Sequence, residues 1–343
     1  MFEVLLSICL AADPSSCREE RLDGGATYDA CLAAAETAIG ALPEGDVAQE
    51  WPCVAKGADP AFRVTEVAPG VFVHQGQHQE ANPQNKGDLA NIGFVVGDSA
   101  VAVIDTGGSK LIGEALLASI KARTDLPIRY AVLTHNHPDH IFGTSVFEAE
   151  GATVLGHPAL AGEISVRQET YLEANARLIG PSFDGTVPPM NIQPAPESID
   201  LGGRVLRITQ HQAAHTASDL TVFDEQTATW FMGDLLFLDH LPAVDASIKG
   251  WMAEMKTLQE QEAARVVPGH GPVAVPWPEG ASAMNAYFGG LVATIRQQLD
   301  DGLSMIDSVE HAEDVAAHKH DWLLYPAFHP RNVTTVYQEL EWD

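Results

Sequence analysis

The stretch His135-Asn136-His137-Pro138-Asp139-His140 places four potential metal ligands within six residues. Residues 129–134 come directly before it and form a short run that predicts a buried strand. In α/β proteins, the loops that follow the carboxyl ends of strands present the functional site. Chance would give this pattern in about one chain in a thousand of this composition, so it is a strong signal. The stretch therefore predicts a metal-binding loop at the end of a sheet strand.

The ligand types within this motif suit a pair of metal ions. His135 and His137 can turn their imidazoles toward one ion, while Asp139 and His140 face a second ion on the other side of the loop. Imidazole and carboxylate are good zinc ligands, and a catalytic zinc ion also needs an open position for water. The motif alone leaves each ion short of ligands. Three later residues, each beside glycine or another small residue, can complete the two sets: His215, Asp234 and His270.

The order HxHxDH, then His, then Gly-Asp, then Pro-Gly-His-Gly resembles the metallo-β-lactamase superfamily over roughly residues 62–278. The resemblance implies a four-layer αββα sandwich, a mixed α/β fold with the site at one edge of two sheets. It implies His135, His137 and His215 as ligands of the first metal ion. It implies Asp139, His140 and His270 on the second ion, with Asp234 bridging both.

Two terminal segments suggest a narrower resemblance. The cysteine-bearing N-terminal segment and residues 325–334, Tyr-Pro-Ala-Phe-His-Pro-Arg-Asn-Val-Thr, resemble the quinoprotein relay system zinc metallohydrolases. Within the superfamily, many class B β-lactamases have Cys at the position of Asp234. A bridging Asp is typical of the glyoxalase II and lactonase branches, which favours general hydrolysis over antibiotic cleavage.

We therefore expect a binuclear zinc-dependent hydrolase with two Zn²⁺ per chain, iron or manganese being possible substitutes. A metal-bridging hydroxide would attack a small ester, thioester, lactone or amide. Asp139 is the predicted catalytic residue, because it can ligate an ion, orient the nucleophile and shuttle its proton. Four further residues are predicted to support the site. Thr216, Ser218 and Asp219 would hydrogen-bond ligand imidazoles, and Asp105, after a strand, would cap backbone N–H groups.

Other functions remain open at this point. The chain could be a β-lactamase, or a mononuclear iron enzyme of the persulfide dioxygenase type. It could also be an accessory metal-binding protein of a quinoprotein oxidation system. A nuclease of the same superfamily is opposed by the net charge of −28, which comes from 19 basic and 47 acidic residues and repels phosphate backbones. The sequence thus predicts a small-molecule substrate and no nucleic-acid partner, and leaves the oligomeric state undetermined.

The four cysteines all lie within the first 53 residues: Cys9, Cys17, Cys31 and Cys53. Such clustering suggests two disulfides of undetermined pairing in an oxidising compartment, free thiols being the alternative. Residues 4–12 are apolar, yet Glu3 precedes them and no Lys or Arg does, so a signal peptide is not convincing. We expect residues 2–11 to form a buried strand, no membrane-spanning helix, and a location that leans periplasmic.

Composition and the positions of glycine and proline residues divide the chain into three parts. Residues 1–60 predict a small α/β module, residues 61–278 the catalytic domain, and residues 279–343 a helical extension packed on the core. Hairpins are expected around Pro69-Gly70 and Gly97-Asp98. The other histidines are expected to be packed in a loop or partly exposed: His157, His211, His240 and His329.

Overall fold

The computed structural model describes residues 2–25, 28–50, 53–55, 62–311 and 322–342. The chain divides into two compact units. The first consists of Met1–Val64 with Glu114–Leu126, and the second of Thr65–Gly113 with Pro127–Asp343. Among the described residues, none of the helices combines the length and the apolar composition that crossing a membrane requires.

The first unit contains an antiparallel sheet and one N-terminal helix. The sheet has the order β2-β1-β3, and β4 also pairs with β1. The predicted strand over residues 2–11 is confirmed, and the helix that the sequence pattern predicts over residues 28–41 of the α/β module is also confirmed. The elements are β1 (Phe2–Leu10), β2 (Asp13–Gly25), α1 (Tyr28–Gly40), β3 (Asp46–Glu50) and β4 (Cys53–Ala55).

Strand β2 was not predicted, because its sequence lacks the alternation that marks a half-buried strand. Arg18, Glu19 and Glu20 are all exposed, and Arg18 pairs across the sheet with Asp46 of β3 at 2.7 Å. Charged side chains are typical of edge strands, where they discourage pairing with other chains. A strongly polar run can therefore be a strand when its partner supplies the hydrogen bonds.

A disulfide joins the first two strands. Cys9 and Cys17 are directly paired in the β1–β2 register and form a disulfide bond. Cys31 is also disulfide-bonded and lies buried in a small apolar core with Val4 and Leu6. The side chain of Cys53 lies outside the described part of the chain. The expected disulfide is thus confirmed in the N-terminal region.

The second unit contains two sheets, of which the larger has seven strands in the order β11-β10-β9-β8-β7-β6-β5. Strands β8 to β11 run parallel, while β6 with β7 and β7 with β8 are antiparallel pairs. The predicted hairpin at Gly97-Asp98 joins β7 and β8, and β5 and β6 on either side of Pro69-Gly70 are neighbours in the sheet. The strands are β5 (Val64–Ala68), β6 (Val71–His74), β7 (Ile92–Val96), β8 (Val101–Ile104), β9 (Ile128–Val132), β10 (Thr153–Gly156) and β11 (Gln193–Pro194).

The smaller sheet has five strands in chain order, β12-β13-β14-β15-β16. All pairs are antiparallel except β15 and β16, which run parallel. The sequence predicts four of the five strands, over residues 205–209, 220–224, 229–232 and 265–268. All four are confirmed, three of them with longer ends, whereas β12 was not predicted. The five strands are β12 (Ser198–Asp200), β13 (Val205–Gln210), β14 (Leu220–Asp224), β15 (Thr229–Phe237) and β16 (Arg265–His270).

Helices cover the outer faces of these sheets. The predicted helical tail is confirmed for its described residues. Helix α2 (Lys110–Lys121) begins in the second unit and ends in the first. The other α-helices of the second unit are α3 (Pro138–Ile141), α4 (Thr144–Ala149), α5 (Leu160–Ile179), α6 (Ile248–Leu258), α7 (Ser282–Asp300), α8 (Met305–Glu310) and α9 (Tyr325–Leu340). Gly180–Phe183 and Glu279–Ala281 are 3₁₀ helices.

Two apolar cores define the layers of the second unit. One core lies between the sheets and contains Val132 of β9 together with Val222 and Phe231 of the smaller sheet. The other packs the outer face of the smaller sheet against α6, α7 and α9, with Trp251 and Phe288 fully buried. Helix α4 contacts β9 and β10 of the larger sheet. This arrangement is the expected αββα sandwich.

The carboxyl ends of β8, β9, β15 and β16 carry the chemistry-bearing residues. The sequence predicts strands over residues 229–232 and 265–268, with Asp234 and His270 after them, but each residue lies within a strand, in β15 and β16 respectively. The two strands extend further because Phe237 still pairs with His270. The pairing is irregular between Phe231 and Phe237, with register shifts on both sides of Gly233, so Asp234 lies in a bulged part of β15.

Candidate metal centre

The seven predicted ligands come together in two adjoining groups. His135, His137, His215 and Asp234 form the first group. Asp139, His140 and His270 form the second group. Within each group the ligand atoms lie within 4.8 Å of one another. Residues separated by up to 135 positions in the chain are thus assembled at one end of the two sheets.

The Asp234 carboxylate contacts imidazoles of both groups. Its Oδ2 lies 3.2 Å from Nε2 of His215 and 3.6 Å from Nε2 of His135. Its Oδ1 lies 3.1 Å from Nε2 of His140, and Oδ2 lies 3.5 Å from Nε2 of His270. The carboxylate is therefore placed between the two groups, where the bridging role was expected.

The donor set fits metal ions. Within the described residues, Nε2 of His140 and Oδ1 of Asp234 are buried and have no hydrogen-bond partner, although they face each other. Nδ1 of His137 lies 3.2 Å from Nε2 of His135 and 2.9 Å from Nε2 of His215. Ligands at about 2.0–2.1 Å from a tetrahedral zinc ion would be about 3.3 Å apart. Unpaired buried lone pairs at this spacing are what a cation would satisfy.

Hydrogen bonds fix the tautomers of four imidazoles through their Nδ1 atoms. Nδ1 of His215 donates to the carbonyl of Ala243 at 2.7 Å, and Nδ1 of His270 donates to the carbonyl of Leu89 at 3.1 Å. Because a carbonyl only accepts, Nδ1 carries a proton in each ring, and Nε2 is the nitrogen left to bind a metal ion. Such contacts orient metal-binding histidines and raise their basicity.

Asp105 fixes the other two rings. Its Oδ2 accepts from Nδ1 of His140 at 2.8 Å and from the hydroxyl of Thr134 at 2.8 Å, while Oδ1 accepts from the Thr134 amide. Since the hydroxyl donates to Asp105, its oxygen accepts from Nδ1 of His135, 3.0 Å away. Asp105 adopts a left-handed backbone conformation, with φ +56°. The predicted capping of a backbone N–H is confirmed, and the same carboxylate also orients an imidazole.

His137 has the opposite orientation. Its Nδ1 points into the first group, and its Nε2 lies 3.5 Å from Oδ2 of Asp245. The same oxygen of Asp245 accepts from Nη1 of Arg167 on α5 at 2.6 Å. Sequence reasoning missed Asp245 and Arg167, because neither stands at a motif spacing and their pairing depends on tertiary structure.

The predicted role of Thr216, Ser218 and Asp219 is corrected. Asp219 accepts from the Thr216 amide at 2.8 Å and from its hydroxyl at 2.6 Å, while the Ser218 hydroxyl donates to Glu163 at 2.7 Å. Their hydrogen bonds therefore shape the turn that carries His215 and do not reach an imidazole. The physical reason is local: short polar side chains readily bond to backbone groups two or three residues away.

Two further polar residues hold the ligand-bearing loops. Oε2 of Glu163 also accepts from Asn136 at 2.9 Å, so it connects the motif loop with the turn at Ser218. Asn91 at the start of β7 donates to the carbonyls of Pro268 and Gly271, which flank the glycine and ligand at the end of β16. Asn91 thereby supports the part of the chain that carries His270.

Buried charges at the cluster shift the ionisation of its ligands. Burial would lower the pKa of His270, but the carboxylates of Asp234 and Asp139 outweigh burial and raise that pKa to about 9. Burial would raise the pKa of Asp139, but the imidazoles of His140 and His270 hold it below its usual range. Proton and metal ion thus compete for the same nitrogen atoms.

Three other histidines are more buried than expected. His240 is 5% exposed and its ring lies 4.8 Å from that of His270, and burial lowers its pKa to about 3. His211 lies between Glu254 and Thr221, and His329 contacts the hydroxyl of Tyr287. The expectation of partial exposure was wrong, because polar partners on other elements bond to His211 and His329, and neighbouring rings enclose His240. His157 is a packed loop histidine, as predicted, whose Nδ1 accepts from the Ala159 amide.

A two-sheet αββα sandwich with a His/Asp cluster at its strand ends defines a class of metal-dependent hydrolases. Residues 85–270 match the sequence profile of the metallo-beta-lactamase superfamily, which is more than half of the chain. The chain belongs to this superfamily, and its strand ends carry a His/Asp metal-binding cluster.

Curated relatives match over part of their length. A linear primary-alkylsulfatase of Pseudomonas sp. (strain ATCC 19151) is 35% identical over 83 residues, which are 23% of this chain and 15% of that protein. A beta-lactamase-like protein 2 homolog of Caenorhabditis elegans is 22% identical over 222 residues, 64% of either chain. The chain thus spans less than two thirds of the length of both relatives.

Solved structures share the fold. The stereoselective inverting sec-alkylsulfatase Pisa1 from Pseudomonas sp. superposes with a TM-score of 0.62 at 18% identity, covering 81% of this chain and 50% of that one. A metallo-beta-lactamase from Pontibacter korlensis gives a TM-score of 0.52 at 23% identity, covering 66% of this chain and 99% of that one. At these identities the likeness concerns the fold alone.

Proposed function

We propose that this protein is a binuclear zinc-dependent hydrolase of small esters, thioesters, lactones or amides. The observation that carries the proposal is the position of Asp234, whose two oxygens lie 3.1 to 3.6 Å from imidazoles of both ligand groups. A carboxylate shared in this way suits two cations held close together. Five imidazoles and two carboxylates are a donor set that zinc accepts well, with iron and manganese as alternatives.

Two zinc ions held by these groups would supply a hydroxide nucleophile at neutral pH and polarise the oxygen of the scissile group. The first group would hold one ion through His135, His137 and His215. The second would hold the other through Asp139, His140 and His270. Asp234 would bridge them. The protein contributes the fixed tautomers and the buried surroundings that keep these ligands in place.

Asp139 is the residue we assign to proton handling. Its side chain is 18% exposed, whereas that of Asp234 is 3% exposed, so Asp139 alone of the two can meet water and substrate. Its Oδ2 lies 3.3 Å from Nε2 of His270. From this position the carboxylate would orient the attacking water and pass its proton toward the leaving group.

Metal analysis coupled to a substrate screen tests the proposal. Purified protein, loaded with zinc and freed of excess, should contain two ions per chain and hydrolyse at least one member of an ester, thioester and lactone panel. One iron per chain with no hydrolysis would instead support the persulfide dioxygenase type of enzyme. A β-lactam panel cleaved no faster than by free zinc would exclude β-lactamase activity.

Sulfate-ester cleavage is a second candidate. It is favoured by the 83-residue match to the linear primary-alkylsulfatase, which is 35% identical to this chain over that stretch. An alkyl sulfate belongs in the same screen, with sulfate release as the readout. Turnover of the alkyl sulfate without turnover of carboxylic esters would favour this second candidate.

The N-terminal unit and the charge support two proposals about the cellular setting. We propose a periplasmic location, which is supported by the compatibility of the Cys9–Cys17 disulfide with an oxidising compartment. The net charge of −28 supports a small-molecule substrate over nucleic acid. An accessory role in a quinoprotein oxidation system, which the terminal segments suggest, would be supported by retained physiological function in an Asp139→Asn variant without turnover.

A further inference from the structure

The loop from Pro242 to Asp245, between β15 and α6, supplies hydrogen-bond acceptors to two ligand imidazoles. The carbonyl of Ala243 accepts from Nδ1 of His215, and the carboxylate of Asp245 faces Nε2 of His137. Both rings belong to the first ligand group. A small shift of this loop would therefore rotate two of the three imidazoles of that group.

Asn332 of α9 holds this loop in place through hydrogen bonds to its main chain. Its Oδ1 accepts from the Val244 amide at 2.9 Å, and its Nδ2 donates to the carbonyl of Pro242 at 2.7 Å. Nδ2 also donates to the hydroxyl of Tyr287 on α7 at 3.0 Å. Asn332 is only 1% exposed, so its amide is buried with three partners. Only a side chain with both a donor and an acceptor can make the two loop contacts at once.

From these contacts we infer that Asn332 is a positioning residue for the first ligand group, acting through the 242–245 loop on His137 and His215. Asn332 lies in the segment 325–334, on which the narrower family resemblance rests. None of the seven ligand residues belongs to that segment. A second contact from the same helix supports the assignment. Glu339 accepts from the Ser247 hydroxyl at 2.6 Å and from the Ile248 amide at 2.8 Å, where the loop enters α6.

The effect should be selective for one group of ligands. In the second group, His140 is oriented by Asp105 and His270 by the carbonyl of Leu89, and these acceptors lie on other elements. Loss of Asn332 therefore leaves their hydrogen bonds in place. The inference rests on the proposed function only in requiring that a cation occupies the first group.

Zinc binding to the purified, full-length protein tests the inference. Ion-free wild type and Asn332→Ala are titrated with Zn²⁺ against a chromophoric chelator, and Co²⁺ spectra report the ligand field of each ion. Removal of a partner that orients a ligand histidine typically weakens metal binding 10- to 100-fold. Because Asn332 acts one hydrogen bond further away, we expect about a tenfold weaker affinity for one ion, a changed spectrum for that ion, and an unchanged second ion.

Tyr337→Phe is the matched control on the same helix. Its hydroxyl donates to the carbonyl of Leu303, away from the 242–245 loop. We expect this variant to bind both ions as the wild type does. Wild-type affinity for both ions in Asn332→Ala would overturn the inference. So would an equal loss for both ions, because that result indicates general loosening of the fold.

A milder variant covers the case in which Asn332→Ala does not fold. Asn332→Asp keeps the acceptor for the Val244 amide and loses the donor to Pro242, so a selective but smaller change in one ion is expected. If it retains wild-type binding and wild-type Co²⁺ spectra, the inference is wrong. If wild-type protein binds a single ion, the two-ion proposal is refuted independently of the role of Asn332. In that case the affinity and the Co²⁺ spectrum of the single ion are compared between wild type and Asn332→Asp.

Discussion

At the scale of single residues, the two carboxylates of the site, Asp234 and Asp139, differ in how far they are exposed to solvent. Asp234 is enclosed by imidazoles on all sides, and its side chain is 3% exposed. Asp139 is 18% exposed and contacts the second group only, through His140 and His270. The enclosed carboxylate suits holding ions, and the more accessible one suits contact with reacting atoms.

Asp139→Asn should leave a folded protein with little turnover. The amide has the same shape as the carboxylate but is neutral, so it can neither orient water as a base nor carry a proton. We expect kcat to fall about 100- to 10,000-fold, the usual contribution of a positioned acid–base group. Steady-state kinetics with excess zinc measure the effect. Asp307→Asn, at the exposed start of α8, is the control and should retain wild-type kcat.

Zinc affinity of the second group should depend on pH. With its pKa raised to about 9, His270 holds a proton in the ion-free protein at pH 7, and that proton must leave before the nitrogen can bind metal. Affinity should therefore rise by up to about tenfold for each pH unit from 7 to 9 and level off above 9. Chelator competition at pH 7, 8 and 9, corrected for protonation of the chelator, would contradict this if affinity stayed constant.

At the scale of elements, β15 and β16 approach each other closely where they carry the ligands Asp234 and His270. A Cβ at Gly269 would overlap Oδ1 of Asp234 and approach the backbone of Gly233 on the neighbouring strand. The glycine before His270 is therefore required by the approach of two strands. The same reason underlies the expectation, drawn from sequence, that ligands here stand beside small residues.

Gly269→Ala should displace Asp234 and weaken metal binding. Overpacking of this kind costs about 1–3 kcal/mol of stability. The loss of correctly placed ligands should weaken zinc affinity by at least about 10- to 100-fold, as seen when ligand orientation is disturbed. Gly289→Ala in α7, where a new Cβ meets nothing within 4 Å, should bind zinc normally. Zinc titration and urea unfolding of the two variants provide the comparison.

The β1–β2 hairpin should lose stability without its disulfide. Cys9 and Cys17 are 8 positions apart, and closing a loop of that size stabilises by about 2.5 kcal/mol in the chain-entropy account. The double variant Cys9→Ala with Cys17→Ser should unfold at a lower urea concentration, followed by circular dichroism. Zinc content should stay the same, because all seven ligands belong to the other unit. An unchanged urea midpoint would show that the disulfide does not stabilise the fold.

At the scale of the whole molecule, the metal centre connects parts of the second unit that are distant in sequence. Its ligands come from the loop after β9, the turn before β14, and the ends of β15 and β16. These elements belong to both sheets of the sandwich. Ions bound there would join the two sheets at one end and stabilise the native state by mass action.

Removing the metal should therefore lower the thermal midpoint. At a free zinc concentration of 100 times Kd, binding contributes about 2.7 kcal/mol. For a unit of this size, 1 kcal/mol corresponds to roughly 2–4 °C, so chelation should lower the midpoint by about 5–10 °C. Calorimetry before and after chelation, and again after zinc is restored, measures the shift. Equal midpoints in all three samples would contradict a stabilising metal centre.

The sequence was sufficient to predict the residues whose side-chain type by itself suits metal binding. Imidazoles and carboxylates at motif spacing identified all seven residues of the two groups, since few other residue types bind zinc. Sequence reasoning missed Asp245 and Glu163, because an acidic residue without a motif gains its role only from the partner that folding places beside it. It also missed β2, whose partner strand rather than its own pattern determines its conformation.

Two of the five ligand rings are oriented by main-chain carbonyl groups, at Leu89 and Ala243. Every amino acid carries that oxygen, so evolution can exchange the side chains at these positions without removing the acceptor. Asp105 and Asp245 do not share this freedom, because their carboxylates are the acceptors themselves. Sequence drift at positions 89 and 243 is therefore compatible with retained orientation of His215 and His270 as long as the main chain keeps its course, whereas replacement of either aspartate removes an acceptor at once.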